Sequence, residues 1–597
     1  MNKEQARQLI KDTFEASFDK EKFVLFIREL LNGIDETKAR HFRGYVKQAF
    51  KQVGKVIRTY ERIGSYTEPS GKKIDILIVH LQKDNSLVRA RATMRNFVAK
   101  YLKDRGEKDA ALVAFVPPRE EDWRFSLVKM DYRFEETSLG IVKVKEKFTP
   151  ARRWSFLVGK NEKSHTAQSQ LVKMLDDDEN NPTLAQLEQA FNIETVTKEF
   201  FEKYRNLFIR TVDELDKIVE NYSNVRKDFG LKNINTVDFA KKLLSQIVFL
   251  YFLQKKGWFG VERDADWGTG PKDFLQQLFK KNLGDYNNFF NDILESLFYE
   301  ALARERDDDY YSKFNCKIPF LNGGLFEPIG GYDWVHTDIN LPNELFSNKN
   351  RTPEEDEGDG IFNVLGRFNF TVKEDEPLEK EVAIDPELLG KLYEKFNAIR
   401  PDNFYEYKKS LLSGKKTLEK KFNKAFGVYY TPREIVHYMC QQSLINYLHT
   451  ALNQELMKQP ARAPRQIKLI GPQEPEQLKF QTNKEIISKK EIEKLIKYGE
   501  QFAENEAVVV EKGKETKTYE YKLPESIRKN AKVIDEKLKD IRVCDPAVGS
   551  GAFPVGMMAE IVKTRNVLSP FIREQDRTIY NFKRDCIENS LYGVDID

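Results

Sequence analysis

The sequence predicts an α/β multidomain protein, and three observations carry that prediction. Two apolar runs in the first quarter, Ile74-Asp-Ile-Leu-Ile-Val-His-Leu and Ala111-Leu-Val-Ala-Phe-Val, read as strands set among helical periodicities. The middle of the chain turns almost wholly helical. Near its end, Ile541-Arg-Val-Cys-Asp-Pro-Ala-Val-Gly-Ser-Gly-Ala-Phe-Pro gives a strand, an acid, a glycine turn and a helix, in that order. The expected parts are a mixed α/β domain at 1–175, a helical connecting domain at 176–410, and at 411–597 the start of a parallel sheet with an insertion at about 453–540.

At 597 residues the chain has room for three or four domains with full cores. Lys plus Arg is 98 against 94 Asp plus Glu, so any nucleic-acid binding must come from local patches rather than a global basic excess. Cys316, Cys440, Cys544 and Cys586 fall in no CxxC spacing, which fits a reducing cytosol and excludes a zinc module of that type. The longest apolar run, Ile247-Val-Phe-Leu-Tyr-Phe-Leu, stops at Gln254, short of a membrane span. With no signal-peptide pattern after Met1, a soluble cytoplasmic protein is expected.

Residues 1–55 mix polar and apolar positions at helical spacing. Val56-Ile-Arg-Thr-Tyr-Glu-Arg-Ile and the run from Ile74 follow as strands, joined by a turn through Pro69-Ser-Gly. An arginine-rich helix at 88–102 leads to the strand at 111–116, which Pro117 and Pro118 stop; residues 123–130 add one more strand. On the helix, Arg89, Arg91, Arg95 and Lys100 fit phosphate contacts and equally a solvated charged face.

Asp176-Asp-Asp-Glu-Asn-Asn-Pro reads as a polar linker, with helices beyond it at 191–219 and 237–253. The second is apolar around most of its circumference, so it belongs in a core. In Ile384-Asp-Pro-Glu-Leu-Leu-Gly-Lys-Leu-Tyr-Glu, Asp385 suits an N-cap and Pro386 the first helical position. Leu388, Leu389, Leu392, Tyr393 and Phe396 then form the buried stripe. The acidic Pro353-Glu-Glu-Asp-Glu-Gly-Asp-Gly lacks the ligand spacing of a calcium loop and reads as a solvated turn.

Gly427-Val-Tyr-Tyr-Thr-Pro-Arg-Glu-Ile-Val opens a further helix. Thr431 is placed to cap it, Pro432 to start it and Glu434 to complete a capping box. Its expected buried face is Ile435, Val436, Met439, Ser443, Leu444, Tyr447 and Leu448. Residues 460–538 are rich in lysine and glutamate and read as a surface insertion, with a helix at 489–506 and strands at 507–511 and 518–522. Ile541 and Val543 then alternate as a short buried strand ending at Asp545. Gly549 and Gly551 shape the turn, and Pro554, Met557, Met558, Ile561 and Val562 mark a helical stripe. A dinucleotide fingerprint would need a third glycine at position 554, where Pro554 stands.

Asp545-Pro-Ala-Val-Gly-Ser-Gly resembles the cofactor motif of S-adenosylmethionine-dependent N6-adenine DNA methyltransferases, and Asn589-Ser-Leu-Tyr-Gly-Val-Asp-Ile-Asp resembles that family's second strand. The earlier Tyr-Tyr-Thr-Pro is similar to the family's motif X, and this motif order is that of the γ class. The resemblance implies a Rossmann-like sheet and S-adenosylmethionine as cofactor. By the same resemblance Asp545, Pro546, Ala547, Gly549 and Gly551 cradle the cofactor, and Asp595 grips its ribose hydroxyls. Tyr430, Thr431 and Pro432 would close over its methionine end. It also implies double-stranded DNA as partner and a flipped adenine held by an Asn/Asp-Pro-Pro-Tyr loop. No such tetrapeptide occurs in the 597 residues, so the chain is expected to work with a downstream polypeptide carrying the rest of the methyltransferase and the target-recognition domain.

A mixed α/β unit ahead of such a methyltransferase resembles the nuclease domain of single-chain type IIG restriction-modification enzymes. Phe320-Leu-Asn-Gly-Gly-Leu-Phe and the segment from Ile384 resemble the connector of the same enzymes. The resemblance implies Mg2+ held by an aspartate and a Glu-x-Lys on adjacent strands. It makes Asp75 the metal ligand and Asp75 with Lys83 the catalytic pair, with Glu61 as a third candidate. The sequence departs from the pattern at Val79-His-Leu-Gln-Lys, where His80 and Gln82 stand in place of a glutamate. Three alternatives remain: an active endonuclease, a degenerate one serving as a DNA clamp, and a non-catalytic DNA-binding or regulatory chain.

Overall fold

Ile74-Asp-Ile-Leu-Ile-Val-His-Leu and Ala110-Ala-Leu-Val-Ala-Phe-Val carry apolar side chains at almost every position, as strands covered on both faces require. In the computed structural model these two runs are the parallel pair inside a seven-stranded mixed sheet. The structure describes residues 1–42, 56–84, 87, 90–104, 108–136, 142–177, 181–321, 324–352, 357–372, 378–397, 399–412, 431–458, 487–512 and 522–595. The strands, in chain order, are β1 (Arg40–Phe42), β2 (Ile57–Thr67), β3 (Lys73–Leu81), β4 (Ala110–Val116), β5 (Asp122–Glu136) and β6 (Val142–Gly159). A two-residue hairpin, β7 (Tyr310–Tyr311) and β8 (Cys316–Lys317), precedes β9 (Glu379–Glu381), β10 (Val543–Asp545) and β11 (Leu591–Gly593).

The chain divides into two compact units, Met1–Tyr429 and Tyr430–Asp597. The large sheet lies in the first unit, in the order β1-β2-β3-β4-β5-β6-β9, parallel at β3/β4 and β6/β9 and antiparallel elsewhere. Side chains alternate across it. Ile74, Ile76, Ile78, Leu112, Phe125 and Phe156 face a core shared with the helices Lys3–Phe14 and Lys20–Leu31 and continuous with the helical part of the unit. Leu77, Val79, Val113, Phe115 and Val128 face the helix Arg91–Asp104, through Met94, Phe97, Val98 and Tyr101. The N-terminal helices start where their caps dictate: Asn2 and Gln5 form a capping box, and Asp19 accepts from the N–H groups of Glu21 and Lys22.

Three strands of this sheet were not expected from the sequence: β1, in a stretch read as helical, β6 and β9. β6 runs for 18 residues, and β9 joins its far edge from a segment assigned to the helical connector. Their meeting explains a set of buried charges. Arg153 on β6 lies 2.7 Å from Glu379, and Arg95 lies 3.3 Å from the same carboxylate. Glu381 takes Arg124 at 3.0 Å and Arg91 at 3.1 Å. Four arginines thus face two glutamates, and the N–H groups of Arg91 Nε, Arg95 Nε and Arg124 Nη1 find no acceptor among the described residues. The phosphate-contact expectation for Arg91 and Arg95 is therefore corrected: their side chains point into this network and not to solvent. Arg89 lies outside the described residues.

The helical part follows expectation more closely. Helix Ile193–Asn221, capped by Asn192, buries Val196, Phe200, Tyr204, Leu207 and Leu215 along one stripe. Helix Thr236–Lys255 is buried over most of its circumference. Helix Pro386–Asn397 begins at Pro386 and buries Leu392 and Phe396; the side chains of Leu388, Leu389 and Tyr393 lie outside the described residues. Among the described residues no helix is long and apolar enough to cross a membrane.

In the second unit β10 and β11 form a parallel pair beside helices Arg433–Lys458, Lys489–Lys512, Ala531–Asp540 and Ala552–Leu568. Two local expectations fail here. The strand expected at 507–511 is the last part of helix Lys489–Lys512: no glycine or proline interrupts the helical run from Gln501 before Gly513, and cooperativity carries three valines along. In helix Arg433–Lys458 the buried face is Val436, Cys440, Leu444, Ile445 and Leu448, while Ile435, Met439 and Ser443 are exposed. The strand expected at 518–522 lies almost wholly outside the described residues.

Candidate functional site

Parallel strands end on the same side of a sheet, and the loops that leave them form a crevice there. β10 and β11 pair with Val543 opposite Leu591, Cys544 opposite Tyr592 and Asp545 opposite Gly593. The pairing continues past the strands. The N–H of Val594 donates to the carbonyl of Asp545 at 2.9 Å, and the N–H of Val548 donates to the carbonyl of Val594 at 2.9 Å. The turn after Asp545 is thereby tied to the segment that reaches Asp595. Gly549 and Gly551 hold φ of +48° and +79°, a region costly for residues with a Cβ, and a Cβ on either would meet nothing within 4 Å. Both glycines serve backbone shape and leave open space above the turn.

Asp545 stands at the mouth of this turn. Its Oδ1 accepts the N–H of Ala547 at 3.1 Å, which fixes the turn. Its Oδ2 is buried and has no hydrogen-bond partner among the described residues. Leaving a buried carboxylate oxygen unpaired costs about 1–3 kcal/mol, so this oxygen is open to a further donor. Helix Ala552–Leu568 starts at Gly551 with no side-chain cap, so its first N–H groups are also offered at the turn. Pro546 and Ala547 are exposed beside them, as is Asp595, two residues beyond β11.

Thr431 is half-buried and Pro432 exposed at the start of helix Arg433–Lys458, where the carbonyl of Pro432 accepts from Ile435 and Val436. Tyr430 lies outside the described residues. This helix packs directly on the one that follows the glycine turn. A Cβ on Gly556 would lie 2.6 Å from Cγ1 of Val436, so the two helices approach at a position where only glycine fits. Beside that contact His437 Nδ1 is 2.9 Å from Glu560 Oε1, and Gln441 Nε2 donates to the same oxygen at 3.2 Å. Burial alone would raise the Glu560 carboxyl, but His437 and Lys563 hold it below its usual value. Sequence reading missed this lock because its halves stand 123 positions apart.

The nuclease candidates are not brought together. Asp75 is fully buried on β3, with Tyr101 donating to its Oδ2 at 3.0 Å and Arg62 at 3.4 Å from the same oxygen. Lys83 is exposed beyond the far end of β3, and the extended chain from Asp75 to Leu81 alone spans about 20 Å. Lys108, not Lys83, is the lysine near Asp75, at 3.9 Å. Glu61 pairs in register with Ile78, on the opposite face of the sheet from Asp75, and meets Lys20 at 2.8 Å. Among the described residues no group of three or more His, Cys, Asp or Glu is placed to hold a metal ion.

The second unit thus places an acid at a strand end, a glycine turn, a helix start and a second acid beyond the neighbouring strand. Comparison with known proteins adds a relative. The chain is 27% identical over 429 residues to a protein of Methanocaldococcus jannaschii named "Putative type II restriction enzyme and methyltransferase". The match covers 68% of this chain and spans 28% of the length of that relative. No family model matches the chain, and no solved structure does.

Proposed function

We propose that this chain is part of a DNA methyltransferase of a restriction-modification or phage-defence system, using S-adenosylmethionine to modify adenine N6. The observation that carries the reading is the unpaired, buried Oδ2 of Asp545 beside the open Gly549–Gly551 turn. An acceptor with no donor, next to backbone that a bulky ligand can approach, fits a cofactor with a cationic amino-acid end. The resemblance of the Asp-Pro-Ala-Val-Gly-Ser-Gly stretch points to the same cofactor. Bound there, S-adenosylmethionine supplies an activated methyl group. Asp545 would accept from its amino group, Asp595 would hold the ribose hydroxyls, and Tyr430, Thr431 and Pro432 would cover the methionine end. Glu560 and His437 keep the covering helix seated.

The Asn/Asp-Pro-Pro-Tyr loop expected to hold the adenine amine is not among these residues, so cofactor binding is the direct test. Titration calorimetry should show one site for S-adenosylmethionine or its demethylated product. Absence of binding by both, with Thr431 and Asp595 present, would overturn the reading.

A second reading, Mg2+-dependent cleavage by the first unit, has one supporting observation: Asp75 Oδ1 has no hydrogen-bond partner among the described residues and Lys108 lies 3.9 Å from it. Against it stand the complete burial of Asp75, the Arg62 guanidinium on its other oxygen and the remoteness of Lys83. We favour a scaffold role for this sheet. Incubation with duplex DNA and Mg2+ should leave the DNA intact; cutting that disappears in Asp75→Asn would restore the nuclease.

A further inference from the structure

The first unit contains a cleft of about 1710 Å³, larger than the roughly 300–1,000 Å³ of ordinary small-molecule pockets. Its walls come from the N-terminal helix, the turn after β6 and the segments 251–280 and 347–370. Ten of its lining residues are Lys or Arg and five are Asp or Glu. Three of the five carboxylates are held by other groups of the protein. Glu162 is almost wholly buried and takes Lys255 on both oxygens at 2.6 Å, with Asn369 as a further donor. Glu15 accepts from the N–H and hydroxyl of Ser164, and Asp273 accepts from Gln277. These carboxylates are engaged by the walls.

The cations are placed the other way. Lys3, Arg7 and Lys11 recur every fourth residue, so they form one exposed stripe along helix Lys3–Phe14, flanking the row of the buried Ala6, Ile10 and Phe14. Lys160 and Lys163 stand on the turn after β6, which is pinned at every step. The N–H of Lys160 donates to Glu121, that of Asn161 to Asp122, and that of Glu162 to Gly159. This turn directs the Glu162 carboxylate inward and leaves both lysines exposed. Lys272, Lys280 and Lys349 face the cleft from other segments and are also exposed. None of these eight has an ion-pair partner among the described residues. A row of unpaired cations at helical spacing, with a second group held rigidly beside it, matches a ligand whose charges repeat along a line.

We propose that this cleft is a binding groove for the phosphate backbone of duplex DNA. The proposal rests on the DNA-modifying reading above and assigns the contact to a surface remote in sequence from the methyltransferase motifs. It also accounts for a chain with no global basic excess: the positive potential is local.

The test uses the full chain and a short labelled duplex, with binding followed by fluorescence anisotropy across a salt series. Each lost phosphate contact lowers the slope of log Kd against log salt by about 0.9. The triple variant Lys3→Ala/Arg7→Ala/Lys11→Ala should lower it by roughly 2–3 and weaken binding at least about tenfold at moderate salt. Lys160→Ala/Lys163→Ala should act in the same direction. A control removing Lys198, Lys227 and Arg304, exposed residues that do not line the cleft, should change neither quantity. All these side chains are exposed, so the variants should melt as the wild type does. Duplex binding by wild type with the same slope in the cleft variants overturns this proposal and leaves the methyltransferase reading standing. Equal losses in the control overturn it as well, as does clear preference for RNA over duplex DNA. Failure of the wild type to bind duplex at all, with cofactor binding intact, would reject the groove; failure of both would reject the function itself.

Discussion

Asp545→Asn separates two roles of one carboxylate. The asparagine keeps an oxygen to accept the N–H of Ala547, so the turn should hold. It replaces the unpaired Oδ2 with an N–H2 group and removes the negative charge. If that oxygen accepts from a cationic cofactor, the lost charge-assisted hydrogen bond amounts to about 1.5–3 kcal/mol, or roughly a ten- to hundredfold rise in Kd. The free protein should respond in the opposite sense. A buried carboxylate oxygen without a donor is a cost, so the ligand-free variant should melt no lower than wild type. Cofactor at a hundred times the wild-type Kd should stabilise the wild type by about 2.7 kcal/mol. A variant binding a hundredfold more weakly would gain only about 0.4 kcal/mol at the same concentration. Calorimetric titration and thermal melts with and without cofactor measure both. An unchanged Kd, or a variant destabilised without ligand, would refute the argument and make Asp545 a structural residue of the turn.

Three further outcomes are expected. Asp75→Ala should destabilise the first unit by about 3–5 kcal/mol in denaturant melts, because it strands the buried Arg62 guanidinium; an unchanged midpoint would show the pair to be dispensable. Asp535 binds both Arg565 and Arg577, at 3.1 and 2.7 Å, with Phe582 stacked beneath both guanidiniums; Asp535→Ala should cost the second unit about as much, and a loss under about 1 kcal/mol would contradict that. Glu295, buried against Tyr332 at 2.6 Å, has its carboxyl pushed up to about 8 by burial. The native state therefore keeps a proton that the unfolded chain releases near its ordinary value, so stability should fall by a few kcal/mol as pH rises from about 4.5 to 8 and then level off. Glu295→Gln should flatten that slope; an identical slope in the variant would assign it to other groups.

What could be read from the sequence was local. β3 and β4 announced themselves because burial on both faces leaves few polar residues in a strand. The Asp545, Gly549 and Gly551 turn was legible because its constraints act within seven residues. β6 was missed because Arg153 and Ser155, both buried, look like surface residues until Glu379 and Ser126 meet them. Arg91 and Arg95 misled for the same reason: a charged helix face reads as solvated unless its counter-charges are in view. The valines at 508–510 favoured a strand by type, yet the continuing helix decided their conformation. The His437–Glu560 contact needed two helices to be placed before either residue had a meaning.

The buried meeting of β6 and β9 also sets a timetable for synthesis. Arg153 precedes Glu379 by 226 positions. At about 5–20 residues per second, a ribosome takes on the order of ten to forty-five seconds to deliver the second after the first. During that interval Arg91, Arg95, Arg124 and Arg153 have emerged, while neither glutamate has. The sheet's last edge cannot close on four uncompensated cations, so the nascent chain must wait, with that edge wet or held by a chaperone, until residue 381 leaves the tunnel. For the same reason a fragment cut near residue 175 would carry the arginines without their acids, and expressing it alone should yield an insoluble or incompletely folded product.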